Sequence, residues 1–259
     1  SIQLQRGVGT SASGAGAFGA SLNLQTKASQ QNTHAEIANS IGSFGTRKHT
    51  LAFGTGLHNN FEMNARISNI ESDGYIDRAS SNLFGYYFDA NYITKNTIIK
   101  AIAFGGKEKT YQAWYGVDKA TQKTLLSTNP NFEFPVEYNI SGIMLSSSGE
   151  IQGNYDNETD NYWQNHFQLH WNQKLAKKWQ SNIALHYTIG KGYFEQFIDD
   201  YYATNILFNE ESNFLFYGLP NFGAFTSADL VRKRWLDNDF FGTTFSLNYK
   251  TNKTDVIIG

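Results

Sequence analysis

Gly14, Gly16 and Gly19 stand at the G-x-G-x-x-G spacing that cradles a pyrophosphate when it lies between a buried strand and a helix. Their context argues against that chemistry. "RGVGTSAS" (residues 6–13) is not a buried hydrophobic strand, and "ASLNLQT" (residues 20–26) alternates as a strand and opens no helix. No helix N-terminus is therefore on hand to hold an anion. Glu36, near the place of a ribose-binding acid, then adds nothing.

His166 and His170 share a strand face with Gln168, and His186 is expected on the neighbouring strand. Four residues along a strand span about 13 Å, too far for one ion, so the histidines read as a polar pair. Acids gather at Asp156, Glu158 and Asp160 and again at Glu195, Asp199, Asp200, Glu210 and Glu211. A hard cation takes several carboxylate oxygens, but the regular calcium-loop spacing is missing. Both groups read as solvated loop. Paired carboxylates also serve glycosidases, yet nothing in the sequence fixes their separation. With no cysteine to supply a disulfide or a thiolate ligand, the sequence assigns no catalytic residue, no metal and no cofactor.

Two basic runs and two aromatic groups remain. "KLAKKW" (residues 174–179) reads as a short turn leading into an interfacial Trp. "VRKRW" (residues 231–235) reads as a charged loop base whose Arg232 and Arg234 suit an anionic ligand or lipopolysaccharide phosphates. Tyr111, Trp114 and Tyr115 follow one predicted strand; Tyr193, Phe194, Phe197, Tyr201 and Tyr202 follow another. Exposed aromatic clusters are costly unless they pack together or bind something. Tyr111, Trp114, Tyr115, Tyr193, Phe194, Arg232 and Arg234 are thus the candidate ligand-binding residues.

The elements that position these residues are strands. "HFQLHWN" (residues 166–172) puts Phe167, Leu169 and Trp171 on one face; "WQSNIALHYT" (residues 179–188) and "FGTTFSLNYK" (residues 241–250) sort in the same way. Further strands are expected at 51–58, 61–68, 83–94 and 97–106, with a weaker first strand at 34–43 and a last one from Asp255. No segment shows a useful helical period, so the chain reads as all-β with about nine strands. Three prolines in 259 residues suit long strands.

The composition says what surrounds those strands. Aromatic residues make up 15%, charged ones only 17%, and the mean hydropathy is -0.46. No run reaches the length of a membrane-spanning helix. The polar faces carry Gly, Asn, Gln, His, Ser and Thr in place of Lys and Glu, and aromatics sit near the ends of the apolar faces. An apolar band outside, aromatic girdles and a hydrated interior describe a transmembrane barrel. Connections alternate short and long, as in outer-membrane barrels: short at 58–60, 95–96, 174–178 and 250–254, long at 69–82, 111–165 and 190–239. The turn near 46–48 is short where a long one is expected. A net charge of -2 and a pI near 6.3 give no reason to expect nucleic acid.

"LQRGVGTSASGAGAFGASLNLQT" (residues 4–26) resembles the end of the plug domain of TonB-dependent outer-membrane receptors. Arg6, Gly7, Gly9, Gly14, Gly16 and Gly19 carry that resemblance. "GYIDR" (74–78), "FGGKEKTYQAWYGV" (104–117), "GYFEQF" (192–197) and "NDFFGTTFSLNY" (238–249) are similar to stretches of such receptors from the Bacteroidetes group. The resemblance implies two parts: residues 1–26 as the C-terminal end of a plug, and residues 27–259 as the N-terminal part of a barrel of about 22 strands.

What it implies further is a fragment of a non-enzymatic transporter in the outer membrane of a Gram-negative bacterium. Such a receptor takes up a scarce ligand: an iron-siderophore, haem, cobalamin or an oligosaccharide. Its partners are TonB (through a segment outside this chain), that ligand, membrane lipid and lipopolysaccharide, and in some cases a surface lipoprotein. Two other readings compete. A soluble or surface carbohydrate-binding β-sandwich explains exposed aromatics but not lipid-like faces. An outer-membrane enzyme using loop carboxylates explains the acids but not the glycine-rich block.

Overall fold

The computed structural model describes residues 2–6, 20–24, 29–113, 116–135, 137–198 and 229–259. Two short strands, β1 (Ile2–Arg6) and β2 (Ala20–Leu24), pair antiparallel as a sheet of their own. Ala20–Leu24 is thus a strand, which removes the helix a nucleotide loop needs. Gly7, Gly9, Gly14, Gly16 and Gly19 lie outside the described residues, as do Trp114 and Tyr115.

Nine strands build the main sheet: β3 (His34–Ile41), β4 (Arg47–Gly54), β5 (Phe61–Ser72), β6 (Ser81–Ile93), β7 (Thr97–Tyr111), β10 (Thr159–Ala176), β11 (Trp179–Ile198), β12 (Leu230–Lys250) and β13 (Asp255–Ile258). Each pairs antiparallel with its sheet neighbours in chain order, a continuous meander. Among the described residues no second sheet faces it, so the architecture is not a sandwich.

Register places the apolar positions on one face. Phe53, Ala65, Phe88, Ala103, Phe167, Tyr187 and Phe241 form one continuous row across seven strands. Two residues along, Met63, Ala90, Ala101, Leu169 and Leu185 form the next. These large side chains are exposed, Phe241 to 80%. The opposite face carries Thr50, Asn64, Asp89, Gln168, His186 and Gly242. Phe240 and Leu236 break this pattern on β12, Phe240 lying 5.1 Å from the His186 ring. An exposed apolar row over a polar one is the two-solvent surface of a membrane barrel wall.

The connections sort by end. Residues 42–46, 73–80, 112–158 and 199–229 join strands at one end; 55–60, 94–96, 177–178 and 251–254 join them at the other. The first turn does lie on the long-loop rim. At the short-turn end Trp179 packs on Tyr249 with ring centroids 4.8 Å apart, where the sequence places an interfacial Trp.

Three features depart from the sequence reading. Strands β10, β11 and β12 run 18, 20 and 21 residues, about twice what a tilted crossing needs. "GYFEQF" and "VRKRW" are therefore strand, not loop. Their extensions rise past the apolar band, where no lipid enforces alternation. Strand β4 ends at Gly54 and does not reach His58, because Gly56, Asn59 and Asn60 take positive φ and turn the chain. A helix, α1 (Lys119–Thr128), stands inside the longest connection. It buries only Leu125, so it lacks an apolar period. Its start is fixed by Asp118, whose carboxylate accepts from Ala120 N (2.8 Å) and Thr121 N (3.0 Å). Leu125 packs with Ile143 and Leu145, and Phe134, Ile140 and Ile151 lie against them. Ile143 and Leu145 belong to β8 (Ile143–Leu145), which pairs with β9 (Ile151–Asn154).

Candidate functional site

Strand alternation divides the basic run "VRKRW". Arg232 and Arg234 sit on the polar inner face of β12, and Lys233 sits on the outer face. Both guanidiniums donate to the same atom on β11: Arg232 Nη2 to Gln196 Oε1 at 2.6 Å, and Arg234 Nη2 at 3.2 Å. Arg234 also lies over the Phe194 ring, 5.4 Å from its centroid. The two guanidiniums meet at one neutral acceptor, with the carboxyl groups of Glu158 and Asp160 lining the same space and Glu158 near enough to Arg232 to be influenced by its charge.

That wall lines a cavity of about 600 Å³, bounded by Gln112, Ser141, Glu158, Asp160, Phe194, Gln196 and Arg234. The residues come from three strands and the longest connection, at the long-loop end of the inner face. Glu158 is buried and not solvated: its Oε2 accepts from Phe197 N at 3.4 Å, and its carbonyl accepts from Gln112 N at 3.0 Å. Burial raises its carboxyl above the ordinary range, against smaller opposing effects of two backbone N–H groups, Arg78 and Arg232.

The connection is held against the wall by polar contacts. Arg78, in the 73–80 loop, pairs with Asp77 and donates Nη2 to the carbonyls of Asn139 and, at 3.3 Å, Ser141. Its guanidinium lies over the rings of Tyr138 (5.4 Å) and Tyr111 (5.9 Å). Asn139 is fully buried, donating Nδ2 to Gln112 O at 2.6 Å and accepting Ser141 N at 3.0 Å. Burial dominates at Tyr138 and raises its hydroxyl pKa.

The predicted site residues therefore fall into separate places. Phe194 and Arg234 line the cavity, and Arg232 stands beside them. Tyr111 is buried and donates its hydroxyl to Tyr155 O (2.5 Å), holding the connection in place. Tyr193 faces outward and packs on Trp235, centroids 4.8 Å apart, with Lys233 Nζ 4.7 Å from its ring. Arg6 lies in β1, apart from the main sheet. Glu195, read from the sequence as a solvated loop acid, is buried on β11. It pairs with Lys233 at 3.1 Å and accepts from Tyr155 Oη (2.5 Å) and Asn157 Nδ2 (2.7 Å).

Gln112, Ser141 and Gln196 were not legible as site residues, since nothing in the spacing of neutral polar residues marks them. His166 bonds Thr188 Oγ1 (2.9 Å) and stacks on Phe104, and His170 contacts Gln168 (3.0 Å). Both belong to the polar network of the inner face. Asp199, Asp200, Glu210, Glu211, Tyr201 and Tyr202 lie outside the described residues.

Neither a protein-family model nor a curated protein matches the chain. Solved structures do. The open form of the ferric-catecholate import receptor Fiu from E. coli K12 aligns over 99% of this chain and 38% of its own, at 10% identity and a TM-score of 0.67. The siderophore receptor PiuA from Acinetobacter baumannii aligns over 97% of this chain and 32% of its own (12% identity, TM-score 0.63). P. aeruginosa FpvA, solved with a pyoverdine–iron complex, aligns over 98% and 30% (10% identity, TM-score 0.62). The chain thus spans about a third of the length of the structures it matches. Its fold is that of a stretch of siderophore-receptor barrel, in agreement with the TonB-dependent outer-membrane receptors its sequence resembles.

Proposed function

We propose that this chain is part of a TonB-dependent outer-membrane receptor that takes up a scarce anionic ligand, with a ferric siderophore first among the candidates. Residues 1–26 are the end of its plug, and residues 27–259 are barrel wall. The long-loop end faces the outside of a Gram-negative cell and the short turns face the periplasm. No bond is made or broken. The receptor binds, holds and releases, and energy delivered through TonB drives the release.

The observation that carries this reading is the pair Arg232 and Arg234 on the inner face, sharing Gln196 Oε1 beside Phe194 and a cavity of about 600 Å³. Guanidinium donors suit the oxygen-rich surface of an anionic chelate, and an aromatic face suits its rings. Neutral Gln112, Gln196 and Ser141 add hydrogen bonds weak enough to exchange. Register puts both arginines on the inner side of the wall with the cavity, while Lys233 and Lys191 lie on the outer side, paired with Glu195 and Asp237.

The test is uptake of iron-55 as a ferric catecholate by iron-limited cells carrying the whole receptor or its deletion. Deletion abolishes the uptake, and the double variant R232Q/R234Q weakens ligand binding at least tenfold with receptor abundance unchanged. Uptake indifferent to deletion, for catecholate, hydroxamate and haem alike, overturns the reading.

A further inference from the structure

Two carboxylates are sealed into the inner face at the short-turn end of the sheet: Glu62 is 1% exposed and Asp89 4%. Neither belongs to the ligand cavity. Asn91 Nδ2 bridges them, donating to Asp89 Oδ1 (2.5 Å) and Glu62 Oε2 (3.4 Å), and Asn64 Nδ2 donates to the same Asp89 oxygen (3.2 Å). The remaining oxygen of Glu62, Oε1, accepts the backbone N–H of Gln30 at 2.9 Å. A buried carboxylate must find such donors, because a buried charge left unpaired is strongly disfavoured.

Gln30 is four residues before β3, on the strap through which the chain enters the sheet. Its carbonyl is held as well, accepting Leu57 N at 2.8 Å. Three residues on, Thr33 Oγ1 donates to Thr55 O at 2.7 Å. The 55–60 turn presses directly on the strap. Gly56 has φ +69°, and a Cβ there would lie 2.5 Å from Asn32 C and 2.7 Å from Gln31 O. Residues 30–33 are thus clamped on both sides between Glu62 and the β4–β5 turn.

The clamp lies where a pull on the N-terminal side would arrive. Without it, tension would act on the end of β3 and open its antiparallel ladder one pair of bonds after another. With it, tension meets a charge-assisted bond and several neutral ones together, before reaching His34. We propose that Glu62 anchors the barrel entry, stopping a pull on the preceding chain at Gln30 and keeping β3 in the wall. The uptake reading supplies the natural source of such a pull; the anchor itself is a property of these contacts.

The experiment is single-molecule pulling on the whole receptor in lipid vesicles, from its N-terminal end, with the contour length of each event recorded. In the wild type the first series of events ends at Gln30. E62A releases roughly 40 Å more in the same series, the length of residues 30–41 at about 3.4 Å each. E62Q, which keeps an acceptor for Gln30 N–H, restores the wild-type length. G56A, which wedges a methyl against the strap without touching the carboxylate, releases the extra length as E62A does. Folding of each variant is checked by heat-modifiable gel mobility, and G56A and T33V decide the matter if E62A does not assemble. Equal lengths in wild type, G56A and T33V, or release of β3 with the first series in the wild type, overturn the proposal. The readout needs neither ligand nor transport, so a failed uptake experiment leaves it standing, and its own failure leaves the uptake reading untouched.

Discussion

Tyr155 donates its hydroxyl to Glu195 Oε1 over 2.5 Å, joining the lead-in to β10 with the wall strand β11. That hydrogen bond to a carboxylate, with burial and the carboxylate's charge adding to it, pushes the Tyr155 hydroxyl up to about 12. The folded form thus holds this proton more tightly than the unfolded chain, whose tyrosine titrates near 10. Its stabilising contribution is complete below pH 10 and is lost as pH rises through about 12. Amide exchange in residues 155–159 is expected to quicken across that window in the wild type. In Y155F it is already quicker at neutral pH and lacks this pH step.

Glu158 has the same sign, in the acid range. Its carboxyl is raised by burial, so the folded state favours the protonated form, and ionisation opposes closure of the 112–158 connection as pH climbs from the ordinary carboxylate value through the raised one. Protection of Gln112 N and Phe197 N is expected to fall over that range. E158Q keeps an acceptor for Phe197 N and carries no charge, so its protection is flat with pH. A wild-type profile as flat as that of E158Q would remove Glu158 from this role.

Arg78 ties two loops with one side chain, reaching Asp77 and the carbonyls of Asn139 and Ser141. Charge-assisted hydrogen bonds contribute about 1.5–3 kcal/mol each when kept from water. R78A is therefore expected to lower the local stability of residues 137–142 by roughly 2–4 kcal/mol. R78K recovers only a small part, since a single ammonium cannot fork between the three acceptors. Limited proteolysis and amide exchange of the 73–80 and 137–142 segments measure both. Because Ser141 lines the cavity, ligand affinity should fall in parallel.

The two faces of the sheet predict opposite tolerance to charge. Phe88 stands in the apolar outer row, and Thr50 points to the polar inner side. An arginine in place of Phe88 is expected to cost about 2–4 kcal/mol in a bilayer, the depth-dependent penalty for a lipid-facing charge. T50R should cost far less. Denaturant titration of the receptor in lipid vesicles separates the two, and equal costs would argue against the assignment of faces.

Much of this architecture was legible in the residues. Phe167, Leu169 and Trp171 alternating with Gln168 and His170 determined a strand with one oily and one wet face, because a period of two has no other use for that pattern. Nine such segments with connections of alternating length determined an antiparallel meander with long loops on one rim. What the sequence left undetermined lies past the apolar band. There β10, β11 and β12 continue without alternation, since no lipid selects their outer residues, and "VRKRW" reads as loop. Only pairing with β11 decided that Arg232 and Arg234 face inward and Lys233 outward, and that Glu195 is buried. The same holds for α1, which meets its core through one leucine. It holds for Gln30 and Glu62 as well: 32 residues apart, they meet because the 55–60 turn brings β5 back beneath the entering chain. Local sequence sets which face of a strand meets lipid; which residues meet each other across strands and loops is set by register and turn geometry, and these exist only in the folded sheet.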